Sequence, residues 1–395
     1  MHYKNGRNLR FAALGIALVM LAGMLAGCKA TIDNPVVAKV GDVEITYSTY
    51  YNQFSTFKQY ADAGYLAIDD GKDQMASLRE LTFKSVIDAV LPLAWAHKIG
   101  LTLTEGEQTI AMDAADVTLK GYVEQYASQI DESITDETEK YDAEYALLIK
   151  ELKSVGMTYE KLTKQVREAS IEEALAKKMA DQVKAEASVT DEQIQEWYDN
   201  TVKEQTATFA EKPESYYSYV QQYAQYGGVE PLVAPDGYYY YKHILIKNPA
   251  EGETKDVNTI VTEVQAKLAS GADFDALIKD YGEDPGMASE QYAKGYVLSE
   301  SNRDSYYAEF SDAALALAKV GDVSGPVKSK AGVHIIKKVA AVDTAPKTLE
   351  EVKTQIHDYL LATHGDELYT EAASKWIEEL KIVKYESRVK YVGMK

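Results

Sequence analysis

The chain is poor in cysteine, positive charge and histidine, and each shortage narrows what it can be. One of its 395 residues is cysteine, Cys28. No disulfide can form within the chain, so the fold rests on its apolar core. Lys and Arg number 42 against 62 Asp and Glu, a net charge of −20. So acidic a chain is a poor partner for nucleic acid and would not adhere directly to anionic lipid. The apolar run from Phe11 to Leu25 is near the lower limit for crossing a bilayer. Histidines number six, and two of them sit in strand-like apolar runs: Tyr241-Lys242-His243-Ile244-Leu245-Ile246-Lys247 and Gly332-Val333-His334-Ile335-Ile336-Lys337.

Lys4, Arg7 and Arg10 precede the first apolar run and Ala26-Gly27-Cys28 closes it. A basic segment, an apolar segment and small residues at a cleavage site read as a secretory signal, 1–27, with an uncleaved anchor as the structural alternative. Leu25-Ala26-Gly27-Cys28 resembles a bacterial lipobox. The resemblance implies cleavage before Cys28, lipid on its sulfur and a place on the outer face of the cell membrane. No thiol then remains for a metal site or a nucleophile. Losing three basic and no acidic residues takes the charge to −23. Attachment rests on the lipid, and two or more acyl chains are needed, since one holds only marginally. The remaining chain of about 370 residues suits two domains, or one interrupted by an insert.

After a tether, 28–35, the stretch Val36 to Thr46 alternates apolar and polar residues around Gly41-Asp42. It predicts a hairpin, with Thr46 capping a helix from Tyr47. The region 36–206 then reads almost wholly helical. Thr104 to Glu107 and Thr190 to Gln193 are capping-box candidates, and Leu162, Val166, Ala169, Leu175, Met179 and Val183 form one apolar stripe. Pro92 is expected to kink or break a helix from about Met75 to Ile99. Residues 207–236 shift to Tyr, Gly and Pro. Their tyrosines offer either an adaptable surface for carbohydrate or unfolded peptide, or, the preferred reading, a helix from Ser215 to Tyr226 shielding the neighbouring domain. Residues 237–343 read as a strand, helices at Val257 to Ala269, Phe274 to Tyr281 and Ser311 to Lys319, then two strands. In 344–395, Thr348-Leu349-Glu350-Glu351 opens an amphipathic helix with too much apolar surface to stand alone, followed by a strand at Ile382 to Tyr385. It is expected to return to the first helical region.

Between the two histidines lie Tyr281-Gly282-Glu283-Asp284-Pro285-Gly286, Phe310-Ser311-Asp312-Ala313-Ala314-Leu315 and Val320 to Val327. In that order these segments resemble a parvulin-type peptidyl-prolyl isomerase. The resemblance implies a polar network of His243, Asp284, Ser329 and His334 under a proline pocket walled by Tyr306, Phe310 and Leu315, with no cofactor and no metal. Spacing alone also admits two satisfied sheet histidines. A metal site on His243, His334 and Asp284 lacks further ligands nearby, and a Ser329-His334-Asp284 triad lacks a strained elbow. The chain departs from the family at Ala293-Lys294-Gly295-Tyr296, where Lys294 stands in place of a pocket-closing leucine, and in a longer loop from Ser299 to Ala308. Asn248 to Thr254 is acidic, which argues against a phosphorylated substrate.

The whole pattern resembles PrsA-type extracytoplasmic foldases of Gram-positive bacteria. That implies an α+β chain: a mainly helical SurA-like chaperone domain, made of the N-terminal region and the returning C-terminal helix, with an inserted parvulin domain. Its partners would be unfolded or folding secreted proteins and the membrane, and the resemblance raises homodimerisation through the helical region. The rival readings are a holdase whose parvulin domain only binds peptide, and a lipoprotein binding solute or wall glycan through the tyrosine-rich segment.

Overall fold

A computed structural model describes residues 34–67, 73–131, 133–250 and 254–393. The signal and the lipidation site at Cys28 lie outside the described residues. Two compact units emerge, 34–187 with 363–393, and 188–362.

In the first unit, β1 (Val36–Val40) and β2 (Val43–Thr46) form the hairpin, turning at Gly41 with φ of +61°. Thr46 then caps α1 (Tyr47–Asp62) by accepting from the Thr49 N–H. α2 (Gln74–Ile99) ends on Gly100 in the left-handed conformation that glycine adopts without steric cost. It runs unbroken through Pro92, so of the kink or break expected there the break does not occur. The lost N–H removes one bond of the ladder, while burial of Leu91, Pro92, Leu93 and Ala94 holds the turns on either side. The reciprocal capping box of Thr104 and Glu107 opens α3 (Glu105–Glu124). α4 (Glu137–Ser154) and α5 (Tyr159–Lys184) follow. The apolar stripe of α5 serves two cores. Leu162 and Val166 pack with Ala115, Leu119, Val123, Leu148 and Leu152. Leu175 and Met179 join the larger core of β1, α1 and α2. The chain's last strand, β7 (Ile382–Lys384), pairs antiparallel with β1, and Trp376 from the preceding helix and Leu380 just after it enter the same core.

In the second unit, a Thr190–Gln193 capping box starts α6 (Asp191–Glu211), and α7 (Ser215–Tyr226) follows. Tyr216 is buried, edge-on to Phe209 and Tyr238. Tyr216, Tyr217 and Tyr219 thus pack with the neighbouring sheet, while Tyr226 at the end of the helix is exposed. That sheet is antiparallel in the order β4 (Tyr296–Leu298), β3 (Tyr239–Lys247), β6 (Gly332–Ala341), β5 (Val327–Lys328). α8 (Val257–Ala269) and α9 (Phe274–Tyr281) cover one face, where Ile244, Ile246, Val333 and Ile335 meet Val261, Val264, Phe274 and Leu277. α10 (Ala308–Leu315) lies on the other face with Tyr241, Leu298 and Ile336. It begins and ends earlier than the expected Ser311 to Lys319. The chain turns at Gly321, φ +96°, where the Asp322 carboxylate accepts from the Lys319 N–H and unwinds the expected last turn. The long helix α11 (Leu349–Glu379) contributes Val352, Ile356 and Leu360 to a core with Ile194 and Leu232. Its later residues belong to the first unit.

Candidate active site

The strand register brings the histidines together. His243 lies opposite Ile336 and His334 opposite Leu245, so the imidazoles are diagonal neighbours on one face of the β3–β6 ladder. Their rings stack at 5.1 Å with Nδ1 atoms 3.0 Å apart. Both are almost wholly buried, at 4% and 3% exposure. Nε2 of His243 is 2.6 Å from the Asp284 carboxylate, and Nε2 of His334 is 2.7 Å from the Ser329 hydroxyl. The network thus runs Ser329, His334, His243, Asp284 in one line. Asp284 binds His243 and not His334, so a Ser329-His334-Asp284 triad is not formed.

Each end of the line is anchored by local backbone. Asp284 Oδ1 accepts from the Gly286 N–H at 3.0 Å, and a Cβ at Gly286 would collide with the Tyr296 hydroxyl. Ser329 sits on the turn into β6 and accepts from the Ala331 N–H at 3.1 Å. Gly332, with φ of +149°, lets that turn lie against the Ile246 carbonyl, where a side chain would clash.

The electrostatics set the proton positions. Burial pushes the Asp284 carboxyl up, but hydrogen bonds from His243 and Tyr296, the His243 charge and the Gly286 N–H outweigh it and bring it down to about 2. As a carboxylate Asp284 only accepts, so the proton of His243 Nε2 points at it. Burial, then repulsion from His243, lowers His334 to about 4 despite the attraction of Asp284. His334 is therefore neutral at pH 7.

Phe310 lies edge-on to both imidazoles, 5.2 Å from His243 and 5.4 Å from His334. Tyr306 is next to it, with ring centres 5.7 Å apart and its hydroxyl donating to the Val297 carbonyl at 3.1 Å. Leu315 packs at the edge of the same cluster. All seven residues expected at the site are brought into one region, while Lys294 is exposed in the loop before β4. Tyr296 was missed by sequence reasoning; its hydroxyl donates to Asp284 Oδ2 at 2.8 Å. Burial, then that hydrogen bond, holds its own hydroxyl far above the usual tyrosine range. In a chain with 30 tyrosines no spacing singles it out. Among the described residues no group of three or more His, Cys, Asp or Glu is placed to hold a metal.

The family model of the PPIC-type PPIase domain, a rotamase, matches residues 243–340. This region, with its sheet and paired histidines, is similar to PPIC-type peptidyl-prolyl isomerase domains. The chain that carries it is similar to foldase protein PrsA. The PrsA of Clostridium tetani is 24% identical over 402 residues, covering 98% of this chain and 99% of that one. Foldase protein PrsA 4 of Bacillus cereus is 41% identical over 118 residues, covering 30% of this chain and 36% of that protein. A crystal structure of PrsA from Bacillus subtilis aligns with 91% of this chain and 98% of its own at 18% identity, with a TM-score of 0.27.

Proposed function

We propose that the protein is an extracytoplasmic foldase, held on the outer face of the membrane by lipid on Cys28, that catalyses cis-trans isomerisation of Xaa-Pro bonds in folding secreted proteins. The observation that carries this reading is the buried Ser329-His334-His243-Asp284 line directly beneath Phe310. Rotation about an Xaa-Pro bond is slow because amide resonance must be broken. A catalyst needs to grip the ring, exclude water and favour the twisted amide, in which carbonyl and nitrogen are no longer conjugated. Phe310, Tyr306 and Leu315 supply the grip. The buried imidazoles, fixed in orientation by Asp284 and Ser329, supply a preorganised field that does not have to reorient during the turn. Lowering the barrier by about 4 kcal/mol gives roughly a thousandfold.

The substrate proline needs no phosphorylated neighbour on this reading. Glu283, which pairs with Lys255 and accepts from the Lys247 N–H, keeps that end of the sheet unsuited to phosphate. The helical region, extended by the returning 344–395 segment, would shelter apolar client segments and is the place for a homodimer contact.

The test is exchange NMR of an unphosphorylated Ala-Pro peptide with the whole protein and its His334→Ala and Phe310→Leu variants. Acceleration by the wild type that falls in both folded variants supports the reading. A second reading, a holdase that binds peptide without turnover, is favoured by Lys294 in place of the closing leucine. It requires no acceleration by the folded wild type and suppression of client aggregation that survives loss of both His243 and His334. Incorporation of labelled palmitate, abolished by Cys28→Ala, tests the anchor.

A further inference from the structure

Helix α7 lies outside the matched isomerase region, yet it reaches the proline pocket. Tyr217 packs edge-on to Tyr306 with ring centres 5.8 Å apart. One turn further along the same face, Gln221 accepts from the Tyr292 hydroxyl at 3.4 Å. Tyr292 in turn sits 4.8 Å from Tyr296, and Tyr296 5.8 Å from Tyr306. Phe310, Tyr306 and Tyr217 thus form a row of rings at steps of 5.7 and 5.8 Å. The row grows wetter outward: Phe310 is 3% exposed, while Tyr306 and Tyr217 are only partly buried. The helix is fixed there by Tyr216, buried between Phe209 and Tyr238.

We infer that Tyr217 forms the wall of a second subsite, which takes an aromatic side chain directly flanking the substrate proline. Consecutive Cα atoms are 3.8 Å apart, so a side chain next to a proline held at Phe310 and Tyr306 reaches about one ring step along the row. An aromatic residue there would meet the rings of Tyr306 and Tyr217, which suits Phe, Tyr or Trp better than an aliphatic chain. One such aromatic pair corresponds to a two- to tenfold gain in affinity, roughly. The inference rests on the isomerase reading, since it places the proline at Phe310.

The experiment titrates the whole protein with four unphosphorylated peptides that differ only beside proline: Phe-Pro, Ala-Pro, Pro-Phe and Pro-Ala. NMR reads the dissociation constant and the exchange rate separately. The wild type should bind one Phe peptide about two- to tenfold more tightly than its Ala counterpart. Tyr217→Ala and the bulk-keeping Tyr217→Leu should both lose that preference, Tyr217→Phe should restore it, and Tyr226→Ala, on the exposed end of the same helix, should leave it intact. A preference that survives in folded Tyr217→Leu, or an equal loss for Phe and Ala peptides, overturns the subsite. No Phe preference in the wild type overturns it as well. Failure of the isomerase reading looks different: no peptide is accelerated, whatever the binding order.

Discussion

The two faces of the β3–β6 ladder are built from neighbouring residues on the same strands, and they are used for different ends. Ile244, Ile246, Val333 and Ile335 point to α8 and α9 and pack with apolar side chains. His243 and His334, one residue away from these, point to the other face and join a polar line whose imidazoles are buried and whose ends, Asp284 and Ser329, are half-buried. The apolar face holds the domain together through burial alone. The polar face is tolerated because both imidazoles, both Asp284 oxygens and the Ser329 hydroxyl have partners. Chemistry is thus placed beside the core without entering it, and the period of two in a β-strand is the device that separates them.

The comparison predicts that substitutions on the two faces have opposite signatures. The largest effect on stability is expected from Ile335→Ala, which opens a cavity under α8 and α9 and should cost about 2–5 kcal/mol in denaturant unfolding. Its isomerase rate per folded molecule should stay near the wild type, and a selective loss of rate would break the division of labour. On the other face His334→Gln should lower the rate by at least about tenfold while leaving most of the stability at pH 7. The same variant tests a pH window. His334 is lowered to about 4 from 6.5, so the unfolded chain binds more protons between those values. Stability is then fully present above 6.5 and falls as the pH drops toward 4. Melting temperatures of His334→Gln should be flatter than the wild type over that window. Below it, Asp284, depressed from 3.8 to about 2, gives stability that is lost as the pH falls through that lower range, and Asp284→Asn should remove this second slope.

Smaller effects sharpen the same contrast. Tyr296→Phe removes one hydrogen bond to the Asp284 carboxylate and should slow the reaction about two- to tenfold without a change in fold; an unchanged rate would reduce Tyr296 to packing. The smallest expected effect has the opposite sign. Tyr241 is fully buried on the polar face, but its hydroxyl has no partner, and burial pushes its ionisation up to about 12. Tyr241→Phe should therefore stabilise the domain by about 1 kcal/mol, read as a raised melting temperature. A destabilised variant would mean that the hydroxyl is satisfied in solution.

Much of this was legible before any coordinates. The hairpin at Val36 to Thr46, the capping boxes at Thr104 and Thr190, and the helices at 215–226 and 257–269 are signalled by local spacing and caps, and they stand where those signals put them. Helix 308–315 was misplaced because Ala313, Ala314, Leu315 and Leu317 continue a helical pattern that the Gly321 turn interrupts from outside. Tyr296 gave no signal of a site role and Tyr217 only that of its tyrosine-rich stretch, since a tyrosine becomes part of a site only through what it meets across the fold.

The amino-acid order by itself determined the elements, their caps and the two histidine strands, because period and capping act within a few residues of the chain. Tertiary structure alone decided that Asp284 binds His243 rather than His334, that Tyr296 also binds Asp284, and that Tyr217 of a preceding helix meets Tyr306. Those contacts join residues from 12 to 89 positions apart, and their partners depend on strand register and side-chain packing, which no local pattern encodes.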